Sequence, residues 1–241
     1  MGKSNEKELK INKRQKILIL SPHPDDESIG CGGFLLKYAA QCDVILLTDG
    51  AKTNRESDED TKRKIRAREF RRVMKYLGVH QYKMLGIPDT ELGNHLDCLK
   101  KIPYERYTYV LVPNLYEAHR DHYVIFPEVE RIIKRRHLKT RILQYEVWTP
   151  LLRPTHYIDL TGLIEEKQKL IQLYKYPLTY IDYDMRITAL AYYRAIIYEC
   201  EYVECYRMSD YDLSMRQKLR KIVRGINDIK NYKKWLVEES L

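Results

Sequence analysis

No stretch of this 241-residue sequence approaches the roughly twenty consecutive apolar residues that a membrane-spanning helix needs. The opening Met1 to Arg14 lacks the apolar centre of a secretion signal, and Glu6 stands where a myristoylation motif needs a hydroxyl. A soluble, cytoplasmic protein is expected. Cysteine is scarce: Cys31, Cys42, Cys98, Cys200 and Cys205 make an odd set with no Cys-x-x-Cys, which argues against a disulfide framework or a zinc ribbon. No Gly-x-Ser-x-Gly elbow supports Ser21 or Ser28 as a nucleophile, although both stand near His23. A dinucleotide fingerprint is also incomplete, because Leu35 replaces the third glycine after Gly30 and Gly32, and the preceding carboxylates would repel a pyrophosphate. Close packing of a helix on a strand accounts for those glycines. With no repeat, low-complexity tract or linker, residues 1–241 read as one domain, of which 1–14 form a flexible N-terminal segment.

What is present is positive charge. The formal net charge of +9 suits acidic partners such as a phosphorylated or nucleotide-linked sugar, an anionic headgroup or nucleic acid, without choosing among them. Much of it falls in Lys62 to Lys75 and Arg216 to Lys234, which read as solvated helix faces. Twenty-one tyrosines beside this charge allow a basic nucleic-acid-binding module, but no reader motif accompanies them and no nucleic acid is expected.

Short apolar runs at Gln15–Leu20 and Asp43–Thr48, and β-prone runs at Tyr82–Leu85, Tyr107–Val112, Arg141–Val147 and His156–Leu160, predict strands. Helical patterns fall at Gly30–Gln41, Thr61–Leu77 closed by Gly78, Asn94–Lys101 and Tyr123–Arg136. This alternation implies an α/β fold with a mostly parallel sheet. From Leu163 onward the pattern is helical: Leu163–Tyr174, Asp184–Tyr198 and Ser214–Glu239. The last carries Leu219, Ile222, Ile226 and Ile229 at helical spacing. It reads as a stripe packed on the domain, with peripheral membrane contact left open.

Directly after the first strand, Ser21-Pro22-His23-Pro24-Asp25-Asp26-Glu27 crowds an imidazole and three carboxylates into five residues. Such carboxylates repel unless one takes a raised pKa or a cation neutralises them, and His with Asp is an ordinary mixed ligand set for zinc. The competing reading is an acidic cap on the following helix. A second cluster, His119-Arg120-Asp121-His122, follows the strand at Tyr107. Both clusters follow predicted parallel strands, so both fall at the carboxyl edge where open α/β sheets place their sites. One of these histidines can ligate while the other does acid–base work. Cys31, close by, is read as a small buried residue rather than a ligand.

These residues resemble the PIG-L/LmbE family of metal-dependent N-deacetylases. Pro22 to Glu27 match its small residue-His-Pro-Asp-Asp-Glu signature, with Gly30-Cys31-Gly32-Gly33 following; His119-Arg120-Asp121-His122 match its distal His-Pro-Asp-His, with Arg120 in place of proline. Arg66-Ala67-Arg68-Glu69 ahead of Leu77-Gly78-Val79, Leu85-Gly86-Ile87-Pro88-Asp89, Tyr145-Glu146-Val147-Trp148 and Tyr202-Val203-Glu204-Cys205-Tyr206 resemble further signatures in the same order. The resemblance implies a Rossmann-like three-layer sandwich with a helical C-terminal extension. It implies His23, Asp26 and His122 as ligands of Zn2+, with Fe2+ as another divalent metal, and Asp25 as general base. It implies His119 as oxyanion stabiliser or acid, and Asp121 is expected to hold the His119 tautomer. Arg66 and Asp89 match positions that approach the sugar. Glu69 reads equally as a helix residue, Asp49 as a turn residue, and Glu117 stands where the family usually has Asp. The implied reaction removes an N-acetyl group from an N-acetylglucosamine-type conjugate. A zinc amidase acting on another acyl-amine conjugate shares every one of these residues, and homo-oligomerisation stays open.

Overall fold

The computed structural model describes residues 7–52 and 58–209. Within them eight strands form one sheet: β1 (Lys7–Glu8), β2 (Ile17–Ser21), β3 (Cys42–Thr48), β4 (Gln81–Ile87), β5 (Tyr109–Pro113), β6 (Arg141–Tyr145), β7 (His156–Asp159) and β8 (Val203–Met208). Their order is β1-β7-β8-β6-β5-β2-β3-β4, parallel throughout except that β8 runs antiparallel to both neighbours. The chain runs outward from β2 through β3 to β4, then returns to β5 on the other flank of β2. That reversal opens a crevice beyond the carboxyl ends of β2 and β5, where this topology places ligands.

Eight helices accompany the described strands: α1 (Asp26–Tyr38), α2 (Glu59–Leu77), α3 (Asp97–Lys100), α4 (Arg120–Tyr123), α5 (Ile125–Arg135), α6 (Ile164–Gln172), α7 (Lys175–Leu178) and α8 (Tyr183–Arg194). Ile17 and Ile19 of β2 join Val44, Leu111 and Leu143 in a core with Phe34 of α1, Phe70 of α2 and Leu170 of α6. Leu18 and Leu20 alternate to the other face and are equally buried, as are Ile125, Val129 and Ile133 of α5, which packs on β5. Burial on both faces is why the central strands read as unbroken apolar runs. In α2 the buried residues Lys62, Arg66, Glu69, Phe70 and Val73 recur at helical spacing, so this basic helix is not wholly a solvated face. Asp58 accepts from Thr61 N to start α2, and Gly78 at φ 69° stops it in the left-handed conformation that glycine adopts without strain.

Three expectations change. Residues 7–14 are not loose: β1 pairs with β7, and Leu9 and Ile11 enter the core. Val203–Met208 is a strand rather than part of a helical extension, because β8 fills the gap between β6 and β7. The first helix starts at Asp26 rather than Gly30 and is kinked at Cys31, whose φ is −133°. The chain divides after Met208. The expected helix Ser214–Glu239, and with it the far end of the single-domain expectation, lies outside the described residues, as do residues 53–57 of the polar loop.

A Cβ on Gly30 would lie 2.2 Å from Tyr145 Cδ2 and 2.6 Å from the Glu146 carbonyl oxygen. Since backbone cannot swing aside, Gly30→Ala is expected to destabilise by about 1–3 kcal/mol through overpacking. A fall in the urea midpoint at constant slope checks it; an unchanged midpoint would remove the close-packing explanation of this glycine.

Candidate metal centre

The loop after β2 carries His23 and Asp25 and the first residue of α1 is Asp26, the loop after β3 carries Gly50 and Lys52, the loop after β4 carries Asp89, and α4 with its preceding residue carries His119, Asp121 and His122. All three atoms suited to ligation converge. His23 Nδ1 lies 3.0 Å from His122 Nε2, and Asp26 Oδ2 lies 3.2 Å from each. Donors about 2.0–2.1 Å from a tetrahedral zinc ion are separated by about 3.3–3.4 Å, so this triangle has nearly the edge of one face of such a site.

The outer atoms of the rings fix which nitrogen is free. His23 Nε2 faces Asp89 Oδ1 at 3.1 Å and Asp121 Oδ2 at 3.3 Å, so its proton belongs there and the lone pair is on Nδ1. His122 Nδ1 is buried without a hydrogen bond, the nearest acceptor being Glu117 Oε2 at 3.6 Å, and this leaves Nε2 free on the inner side. Asp26 Oδ2 also accepts from His23 N at 2.8 Å, which locks the turn.

Electrostatics call for a cation in the same place. Burial alone would lower the His23 pKa, yet hydrogen bonds to Asp121, Asp26 and Asp89 hold it well above the usual value. His122 is likewise raised, Asp26 outweighing burial. Asp26 moves the other way: burial would raise it, but His122 and His23 draw it far down. The carboxylates therefore demand positive charge between nitrogens 3.0 Å apart, where two protonated rings would repel each other. One divalent ion supplies that charge without protons, and two imidazoles with one carboxylate suit zinc or iron.

The ring nitrogens of His23, His119 and His122 also lie within 4.8 Å of one another, as do potential donors of His23, Asp89, His119 and Asp121. The inner triangle is the better set. His119 Nδ1 already accepts from Asp121 N at 3.1 Å, and Asp121 is held by Thr90 N at 2.7 Å and Leu92 N at 3.2 Å. Asp89 Oδ2 is held by Lys52 N at 2.9 Å.

Asp25 does not cap α1 through its side chain, and of the other two acidic residues Glu27 reaches back to the helix start only through a 3.4 Å contact of its Oε2 with Asp25 N. Its φ of 131° is strained for a residue with a Cβ. The carboxylate is buried against Arg66, whose Nη1 donates to Oδ2 at 3.2 Å. Burial pushes the Asp25 pKa up to about 7 and Asp26 adds to this, Arg66 pulling the other way. Glu27 turns away and accepts from Tyr174 Oη at 2.6 Å, Ser28 Oγ at 2.7 Å and Ser21 Oγ at 3.0 Å. His119 is brought down to about 4 by burial and by the charge of His23 and His122, so its ring is neutral at physiological pH. A backbone N–H can only donate, so the His119 proton sits on Nε2.

All eight residues singled out in the sequence meet here, and one of them, Asp121, faces a partner other than the expected one. The Asp121 carboxylate faces His23, and only its backbone touches His119. Asp89 lines the cavity, yet both its oxygens are engaged, one by His23 and one by Lys52 N. Glu69 accepts from Tyr176 N at 3.0 Å, a helix-to-helix tie, and Asp49 bonds Ala51 N, Asp89 N and Arg63, a loop clasp. The cavity over the triangle measures about 490 Å³, and Lys52, Trp148, Tyr180, Ile181 and Tyr183 complete its wall. Trp148 stands within one of the family signatures and Lys52 in the polar loop opened by Asp49-Gly50, whereas Tyr180, Ile181 and Tyr183 carry no local signal, since α8 and its approach reach the site only through tertiary packing.

Fold and cluster together define the class. Residues 18–133 match the PIG-L family model, described as GlcNAc-PI de-N-acetylase. This match, over just under half of the chain, agrees with the signatures read from the sequence. It is 28% identical over 189 residues, 68% of its length and 71% of the relative's, to diacetylchitobiose deacetylase of Thermococcus kodakarensis. Its fold superposes on N,N'-diacetylchitobiose deacetylase from Pyrococcus horikoshii with a TM-score of 0.72 at 24% identity, covering 86% of this chain and 89% of that one. A 4-carboxy-2-hydroxymuconate hydratase from Pseudomonas putida shares the fold at a TM-score of 0.65 and 18% identity, covering 83% and 98%. One fold thus carries more than one reaction, and the site must decide.

Proposed function

We propose that this protein is a divalent-metal-dependent N-deacetylase acting on an N-acetylglucosamine-type conjugate. The observation that carries the reading is the triangle of His23 Nδ1, His122 Nε2 and Asp26 Oδ2, of which His23 and Asp26 line an open cavity together with Asp25 and His119. A divalent cation held there supplies Lewis acidity, which polarises an amide carbonyl and acidifies water. Asp25 takes the proton of the attacking water and returns it to the departing nitrogen, so that amide and water become acetate and amine. His119, neutral and carrying its proton on Nε2, donates to the oxyanion as the tetrahedral carbon forms. Arg66 holds the Asp25 carboxylate by hydrogen bond. Asp121 and Asp89 keep the His23 proton on Nε2, as outer carboxylates do for ligating histidines.

The volume of about 490 Å³ is in the range of small-molecule pockets and suits a sugar. Trp148, Tyr180 and Tyr183 give the wall an aromatic surface on which the sugar's C–H groups can pack. Lys52 and Arg66 are the cations on the wall, in keeping with an acidic conjugate. Two named deacetylases of acetylated chitobiose among the relatives support the substrate class. An amidase acting on another acyl-amine conjugate uses the same centre and differs only at the wall. The nucleic-acid reading leaves the buried imidazole–carboxylate cluster without a role. No helix of the described residues is long and apolar enough to cross a membrane.

Acetate release from a panel of N-acetylglucosamine conjugates, measured with and without chelator, tests the reading. Chelation should abolish release and added zinc or iron(II) restore it. His122→Ala should lose bound metal by elemental analysis and, with it, activity. Turnover that persists in metal-free protein would exclude the mechanism, and release of other acyl groups alone would favour the amidase.

A further inference from the structure

We propose, resting on that reading, that Glu117 is the positioning residue of the centre: one buried carboxylate that both orients the ligand His122 and sets the aromatic wall. Its side chain is fully enclosed. Oε1 accepts from Val147 N at 2.9 Å, Asn114 Nδ2 at 2.9 Å and Thr149 N at 3.3 Å. Oε2 accepts from Trp148 N at 3.1 Å and lies 3.6 Å from His122 Nδ1. Three successive backbone N–H groups after β6 thus converge on a residue presented after β5. The imidazole nitrogen on the far side of the ligand atom faces the same group.

Among the described residues the four groups that hydrogen-bond to this carboxylate are all donors, three main-chain N–H groups and one side-chain amide, and the otherwise unpartnered His122 Nδ1 faces it at 3.6 Å. An acceptor-only group fits such a set, and a glutamine would aim its own N–H at one of them. The His122 proton is thereby kept on Nδ1, which leaves Nε2 as the ligand atom. The same anchor places Trp148, whose Nε1 donates to Tyr183 Oη at 3.0 Å and whose ring meets those of His119 at 5.4 Å and His122 at 5.7 Å. Ligand orientation and cavity wall therefore share one support. The span from β5 to residues 147–149 also explains the length of the side chain, since aspartate at this position would withdraw the carboxylate by one methylene from one group or the other.

A residue that merely clipped two loops together would alter stability without altering the affinity of the inner triangle. The test is zinc affinity of the purified full-length chain, by competition with a chromophoric chelator, in wild type, Glu117→Gln and Glu117→Asp. Urea midpoints verify that each is folded. Glu117→Gln should weaken zinc binding about 10–100-fold and raise KM for an N-acetyl sugar, and Glu117→Asp should recover part of the affinity. Affinity within twofold of wild type in folded Glu117→Gln would overturn the proposal. Should that variant fail to fold, ¹⁵N imidazole spectra of the zinc-loaded wild type decide: a proton on His122 Nδ1 is expected, and a bare Nδ1 overturns it. Failure of the functional reading looks different. Wild-type protein that binds zinc through His122 yet releases no acetate loses the reading and keeps Glu117 in place, whereas wild-type protein that binds no zinc loses both.

Discussion

Asp25→Asn is expected to lower kcat/KM for acetate release by about 10²–10⁴-fold, the range supplied by a positioned general base, while metal content stays at the wild-type level. The substitution keeps shape and can still accept from Arg66 Nη1, so the wall of the cavity is preserved. What it removes is the one carboxylate of the signature that neither joins the inner triangle nor is tied up by hydroxyl donors, as Glu27 is. Its strained backbone at φ 131° holds the side chain over the cavity instead of over the helix start. Its raised pKa, about 7 without a cation, is lowered when a divalent ion sits beside it, so the base is ionised at neutral pH in the loaded protein. Elemental analysis and acetate assay on the same preparation check the outcome. Full turnover in Asp25→Asn would remove the residue from its role, and loss of metal together with activity would make Asp25 part of the ligand set.

The sequence showed most of this centre because its ingredients are local. His23, Asp25 and Asp26 sit within four residues of each other, and His119 and His122 within four, the first group just after one apolar run and the second a short loop after another, as expected of doubly buried strands. What the run of residues cannot show is which oxygen meets which ring. Asp121 is two residues from His119, and proximity in sequence suggested that partnership. The turn that opens α4 instead points its carboxylate across to His23, 98 residues earlier. Asp89, which the family resemblance placed near the sugar, lines the cavity and also meets His23, 66 residues earlier, a contact that only folding creates. The strands that were missed are those with no apolar run to betray them. Two residues of β1 cannot display a period, and β8 carries Glu204 and Arg207 among its six residues, so neither shows an unbroken apolar run.

Glu204 leads to the second large effect: Glu204→Ala is expected to destabilise the fold by about 3–5 kcal/mol, the cost of leaving a buried charge without its partner. The kink at Cys31 interrupts the hydrogen-bond ladder of α1 and frees the N–H groups of Gly33 and Phe34. Glu204 takes both, each at 2.9 Å, and so acts as a cap in the middle of a helix, supplied by a strand 170 residues later. It also pairs with the buried Lys167 Nζ at 2.6 Å and accepts from Tyr206 Oη. Truncation therefore strands an ammonium, two backbone donors and a phenol at once, against a total stability of only about 5–15 kcal/mol for a typical domain. The same kink brings Gly30 against Tyr145 and Glu146, directly beyond the turn that holds Asp25 and Asp26, so a loosened α1 is expected to lower metal occupancy as well as the unfolding midpoint. Urea titration measures the first effect and elemental analysis the second. Pairing Glu204→Ala with Lys167→Met separates charge from capping: if the double variant regains most of the loss, the unpaired ammonium dominates, and if it regains none, the cost lies in the uncapped backbone of α1. A Glu204→Ala protein with a wild-type midpoint would show that the kinked helix stands without its cap.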